Sequence, residues 1–173
     1  MKYFKSPVLL TILLILALSS CKKEDTTPES PSLPPPPPAV NGWNKANLTS
    51  FESFPAPGSE ECVKYNGCAY PGMFEFVGGA QTLDWVKSHN ILAIYANDIN
   101  KYALKTLRLR MNGKTIDAVV YDKCSDDDCK NCCSINAGKG GLNFLIDMEK
   151  YTVERFGAFS DEAVVEWQCL NCN

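Results

Sequence analysis

The sequence predicts a small, mainly β domain: a barrel of short strands with one or two short helices, stapled by disulfides. Three observations predict it. Leu107, Leu109 and Met111 alternate with Arg108 and Arg110, Asn112-Gly113 follows, and Ile116, Ala118 and Val120 alternate back. Asn-Gly between two alternating runs is the strongest short hairpin signal, a type I′ turn. Further short apolar runs recur between turn residues, the pattern of a β-barrel. Nine cysteines are spread over only 173 residues.

The elements follow in order. Asn47 to Phe54 reads as a strand ended by Pro55, and Met73–Val77 as a short one closed by Gly78-Gly79. Gln81 to Ser88 holds one or two helical turns, with Leu83 and Val86 on one side. Ile91 to Tyr95 is a buried strand. Asp147 to Phe156 reads as a short helix with Asp147 as N-cap and Gly157 at its C-terminal end. Ala163 to Trp167 closes the domain as a strand.

Length fits one domain, and 45% hydrophobic, 21% charged residues and a net charge of −3 exclude a collagen, a disordered chain and a strongly basic nucleic-acid binder. The N-terminus carries an address. Lys2 and Lys5 precede Val8–Leu18, an apolar run interrupted only by Thr11. Eleven helical residues span roughly 16 Å, about half of a hydrocarbon core, so this is a signal-peptide core and not a membrane span. Leu18-Ser19-Ser20-Cys21 then resembles the lipobox of bacterial lipoproteins, which implies cleavage of residues 1–20 and lipidation of Cys21. Loss of the leader leaves 15 basic and 20 acidic residues, which favours neutral or cationic partners.

Residues 21–41 form the stalk. Seven of the eleven prolines lie between Pro28 and Pro38, and polyproline II at ~3.1 Å per residue would hold a domain of residues 42–173 roughly 50 Å from a membrane. Glu24-Asp25 resembles surface-export signals of Bacteroidetes lipoproteins. The expected address is therefore the outer membrane, with the domain exposed at the surface as a monomer and no nucleic acid among its partners.

With Cys21 lipidated, Cys62, Cys68, Cys124, Cys129, Cys132, Cys133, Cys169 and Cys172 remain, an even count that in an exported domain reads as a disulfide framework. Cys129-x2-Cys132 and Cys169-x2-Cys172 also have zinc-ligand spacing. Adjacent Cys132-Cys133 is awkward for one tetrahedral site, and no metal or cofactor is expected. Asp126-Asp127-Asp128 lacks the calcium-loop ladder and reads as a solvated loop. Asn47-Leu48-Thr49 matches a glycosylation sequon without significance behind a bacterial lipobox.

Ile116 to Cys124, a Cys-rich loop, Leu145-Ile146-Asp147, a helix and Val164 to Trp167 together resemble the six-stranded double-psi β-barrel. More narrowly, they resemble the expansin first domain, barwin and the rare lipoprotein A family. Expansins place His-Phe-Asp where this chain has Leu145-Ile146-Asp147. The lone histidine, His89, lies elsewhere and is expected at a helix end. The resemblance implies a groove that grips cell-wall polysaccharide (cellulose, chitin or peptidoglycan-like) without hydrolysis, with Asp147 and Asp122 as the candidate catalytic carboxyls. Tyr121, Trp85, Trp167 and Trp43 are candidate platforms for sugar rings.

Two other readings stand beside it. Family-45 endoglucanases share this barrel and need two carboxyls, with a base in Tyr-x-Asp on the first strand; here that strand reads Thr49-Ser50-Phe51-Glu52, without an Asp. Glu52 is one position off and is expected to face the wrong way. A lytic transglycosylase needs one acid/base carboxyl, for which Asp147 alone suffices. An inhibitor or adhesion domain with a vestigial groove is the third. Asp147 as a plain helix cap and Asp122 as a structural hydrogen-bonding group are the alternatives to catalysis.

Overall fold

The computed structural model describes residues 33–37, 42–97, 99–160 and 162–172. The expected signal peptide, Cys21, Glu24-Asp25 and all of the expected stalk except residues 33–37 lie outside the described residues.

Six strands close into a barrel: β1 (Asn44–Phe51), β2 (Ile91–Tyr95), β3 (Thr106–Met111), β4 (Lys114–Lys123), β5 (Leu145–Glu149) and β6 (Ala163–Cys169). The order around the wall is β1-β5-β2-β4-β3-β6. The β1/β5 and β2/β4 pairs are parallel and the other four antiparallel. This is the disulfide-stapled double-psi barrel. Four short helices decorate it: α1 (Glu60–Lys64), α2 (Leu83–Ser88), α3 (Cys132–Gly138) and α4 (Lys150–Phe156). Among the described residues no helix is long and apolar enough to cross a membrane.

Period-two alternation explains the interior. Ala46 and Leu48, Leu92 and Ile94, Leu107 and Leu109, Ala118 and Val120, Ile146 and Met148, and Val165 and Trp167 all point into one buried cluster. Such side chains contribute roughly 1.5–3 kcal/mol each on full burial. Trp167 is 3% exposed, with its ring 4.5 Å from Phe144 and 5.5 Å from Tyr102. It is core, so the expectation of a sugar platform there is corrected: even-spaced partners on β6 turn it inward.

The hairpin forms as expected, with Asn112 at φ 50° and Gly113 at φ 76° in the left-handed conformation that a type I′ turn requires. Met73–Val77 is a tight turn rather than a strand, holding only the Phe74–Val77 bridge. The helix expected from Asp147 starts later. Glu149 is its N-cap, its Oε2 accepting from the Tyr151 amide at 2.7 Å, and Gly157 ends it at φ 58°. Asp147 is a strand residue, because β5 stays paired with β1 through Glu149. His89 caps the C-terminus of α2.

All eight domain cysteines are bridged: Cys62–Cys68, Cys124–Cys133, Cys129–Cys132 and Cys169–Cys172. Every bridge spans nine residues or fewer, so each pins a loop rather than tying strand to strand. Residues 33–37 have no regular structure, but Leu33 packs on the Cys133, Ala137 and Leu145 cluster and its carbonyl accepts from the Asn97 amide. The proline-rich segment therefore touches the domain at Leu33.

Candidate functional site

The outer wall formed by β1, β5, β2 and β4 carries three rows of outward side chains, set by the register. Phe51 pairs with Glu149, Thr49 with Asp147, and Asn47 with Leu145 across β1/β5. On β2, Ala93 pairs with Asp147 on one side and with Asp122 on the other. The outer two rows are covered. Ile91 donates its amide to the Thr152 hydroxyl of α4 at 2.7 Å, and Ser53 donates to Glu149 at 3.3 Å. At the other end Asn47 donates to the carbonyls of Ala137 and Lys139 at 3.0 and 2.9 Å, fastening α3 over Leu145. That fully used amide, on a residue 6% exposed, also closes the sequon to modification in the folded chain.

The middle row, Asp122–Ala93–Asp147–Thr49, forms the floor of a cleft of about 500 Å³. Asp122 reaches it through a β-bulge. Between Leu92 and Ala93 the partner on β4 jumps from Val120 to Asp122, leaving Tyr121 as the extra residue. Without that extra residue, alternation would send Asp122 into the barrel with Ala118 and Val120. The bulge turns it outward, a common use of bulges beside functional sites. Ala93, with only a methyl group, leaves the space between the two carboxyls open.

The electrostatics follow from this enclosure. Asp147 is surrounded by protein apart from its opening to the cleft. Burial pushes its carboxyl up to about 7, against the Thr49 hydroxyl donating to Oδ1 at 2.8 Å and with the Asp122 charge adding to the rise. Burial likewise raises Asp122 to about 6, although its Oδ1 accepts from the amides of Glu75 and Lys123, both at 2.9 Å. A third carboxyl joins them. Glu61 of α1 is raised to about 7, first by burial and then by the charges of Asp147 and Glu52. Ser59 caps α1 by accepting from the Cys62 amide at 3.3 Å, and the Cys62–Cys68 bridge pins the next turn, so Glu61 is held over the floor.

Asp147 and Asp122 are thus brought together, whereas the four aromatic candidates do not line the cleft. Trp85 and Tyr121 pack in a side cluster, where Trp85 stacks on His89 at 4.0 Å and meets Tyr121 edge-on at 5.2 Å. Trp43 lies on the far wall under the Arg110 guanidinium, 4.0 Å from its ring centre. The aromatic rings at the cleft are Tyr65, Tyr70 and Phe51. Glu52 also lines it: β1 ends at Phe51, so strand alternation no longer governs the next residue, and the carboxylate is paired with Lys150 at 3.2 Å. Sequence reasoning missed Glu61 and the two tyrosines. The signal available was Ser59 three residues before a cysteine, a cap for a helix too short to show periodicity.

No known family model matches the chain, and no curated protein matches it by sequence. Among solved structures it is similar to a Streptomyces papain inhibitor, with 13% identity over 75% of this chain and 96% of the other, at a TM-score of 0.39. It is also similar to GH45 endoglucanase EG27II in complex with cellobiose, at 16% identity, 78% and 84% coverage and a TM-score of 0.45. The β-1,4-D-endoglucanase Cel45A of the blue mussel Mytilus edulis matches at 14% identity, 83% and 87% coverage and a TM-score of 0.42. Likeness at this level bears on neither the site nor its activity.

Proposed function

We propose that the protein binds a cell-wall polysaccharide chain in this cleft, and that Asp147 delivers a proton there to a glycosidic oxygen. The observation that carries the reading is the row of the floor: two desolvated carboxyls flank the small Ala93, and Asp147 is free of any capping duty. A carboxyl raised to about 7 is protonated in about half of the molecules at neutral pH, and that form can give its proton to a leaving oxygen. Asp122, raised less, is the group that stays ionised and attracts water or a sugar hydroxyl.

Binding and loosening without cleavage is the second reading. It is favoured by the β1 position beside Asp147, which carries the Thr49 hydroxyl and not a carboxyl. In either case we place the domain on the outer surface of the outer membrane, as a monomer anchored through a lipidated Cys21.

The test is to incubate the purified protein with cellulose, chitin and peptidoglycan, and to analyse bound protein and soluble products by mass spectrometry. New reducing ends support hydrolysis, and anhydro ends support attack by the sugar's own hydroxyl. Binding with intact polymer supports the second reading. Retention on none of the three, and on no deacetylated chitin either, refutes the polysaccharide assignment.

A further inference from the structure

The charge of the cleft is one-sided. Six carboxyl side chains line it against one cation, Lys123, and that lysine is occupied by Glu75 at 2.9 Å. Two of the six are neutralised, Glu52 by Lys150 at 3.2 Å and Glu162 by Lys139 at 2.9 Å. Among the described residues the remaining four, Glu61, Asp122, Asp128 and Asp147, enter no ion pair.

This is not the charge of the surface at large. On the far wall of the barrel, Arg108 is paired with Asp117 and Arg110 with Glu166, both at 2.7 Å, so opposite charges balance locally. A concave site with protein walls concentrates such an imbalance, because low-dielectric surroundings focus the field into the opening. The rim supplies the other half of a sugar site: Tyr70 and Met73 are 53% and 51% exposed, an apolar surface against which a pyranose face can lie.

We propose that the polysaccharide taken by this cleft is cationic, a polymer of amino sugars with free amines, in preference to a neutral, N-acetylated or uronic acid chain. The inference rests on the glycan reading above and adds the substrate class. An ammonium over Ala93 lies between Asp122 and Asp147, with Glu61 and Asp128 on the walls of the same cleft. A carboxylate-bearing glycan meets the same four groups at less than the ~8 Å Debye length of physiological salt and is repelled. Because burial and mutual repulsion hold Asp147 and Glu61 partly protonated, an arriving ammonium draws them back to the charged form, and protons leave on binding.

The experiment is calorimetric titration of the purified protein, at a pH where the sugar amines are charged, with five probes. These are the hexasaccharides of glucosamine, N-acetylglucosamine, glucose (β-1,4-linked) and galacturonic acid, together with hexalysine. The glucosamine chain should bind at least tenfold more tightly than the other four and release protons. Its affinity should fall about tenfold between roughly 20 and 300 mM salt, as screened charge pairs do. Glu61→Gln, with a melting temperature no lower than that of wild type, should narrow the preference severalfold.

Equal binding of the glucose or N-acetylglucosamine chain would overturn the cationic preference and leave the glycan reading intact. Equal binding of hexalysine would show that the cleft reads charge alone and takes a basic peptide. Binding of no saccharide at all would remove the glycan reading together with this inference.

Discussion

Replacing Asp147 by Asn separates the stability of the cleft floor from its chemistry. The amide oxygen still accepts from the Thr49 hydroxyl, and no helix cap is lost because Glu149 holds that position. What disappears is a carboxyl whose charged form is disfavoured by burial. A rise from 3.8 to about 7 corresponds to roughly 4 kcal/mol for a fully desolvated group. The opening to solvent reduces this, and we take about half, ~2 kcal/mol.

The sign follows from linkage. At pH 3 and below, the carboxyl is largely protonated in folded and unfolded chains, so wild type and variant are close in stability. As pH rises from about 4 to about 7, the unfolded chain ionises while the folded one resists, and above the folded value wild type has lost the whole increment. Asp147→Asn should therefore be about 2 kcal/mol more stable than wild type at pH 8, about 8 °C in melting temperature for a domain of this size. Glycan cleavage or loosening should be abolished. Urea and thermal melts at both pH values check the first part, and product analysis the second. Parallel stability curves across the pH range would refute the desolvated-acid argument, and full activity of the variant would refute the catalytic role.

Other consequences are more direct. Gly72 has φ 69°, and a Cβ there would lie 2.3 Å from the Gln81 carbonyl and 2.8 Å from Phe54, so Gly72→Ala should cost about 2–3 kcal/mol in chemical denaturation and dislodge the loop that carries Tyr70 and Met73. The denatured protein should show no titratable thiol among the eight domain cysteines; stoichiometric zinc with free thiols would sink the disulfide framework. Removing the Cys62–Cys68 bridge by a double Ala substitution should cost about 2 kcal/mol, since its loop is short, and should release Glu61 from the cleft. Cys21→Ser should move the protein from the membrane fraction to the soluble one, as loss of the proposed lipid anchor requires; continued sedimentation with an uncleaved leader would refute the lipobox.

Much of the barrel was legible because its interior obeys a period of two: Leu107, Leu109, Ala118 and Val120 announce both strands of the hairpin, and Asn112-Gly113 sets its turn. The helices were less legible for a definite reason. α1 and α3 have five and seven residues, too few for a period of 3.6 to declare itself, and disulfides at Cys62, Cys132 and Cys133 pin them to neighbouring loop residues. Asp147 before a helical run has the look of a cap. Yet Ile146 and Met148 on either side already alternate into the core, and that period places Asp147 on a strand facing out.

The site resisted reading for a different reason: it exists only across strands. Thr49, Ala93, Asp122 and Asp147 come from four separated segments, and what joins them is register, which no local pattern encodes. Asp122 is the sharpest instance. By alternation with Ala118 and Val120 it belongs inside the barrel, where an ionised carboxyl would be prohibitive, and a single extra residue at Tyr121 resolves the conflict by turning it outward. An aspartate placed out of phase at the end of an apolar strand is thus itself a signal. Either the strand stops before it or a bulge redirects it, and here the bulge sets the second carboxyl two strands from the first, across the one residue small enough to leave the space between them open.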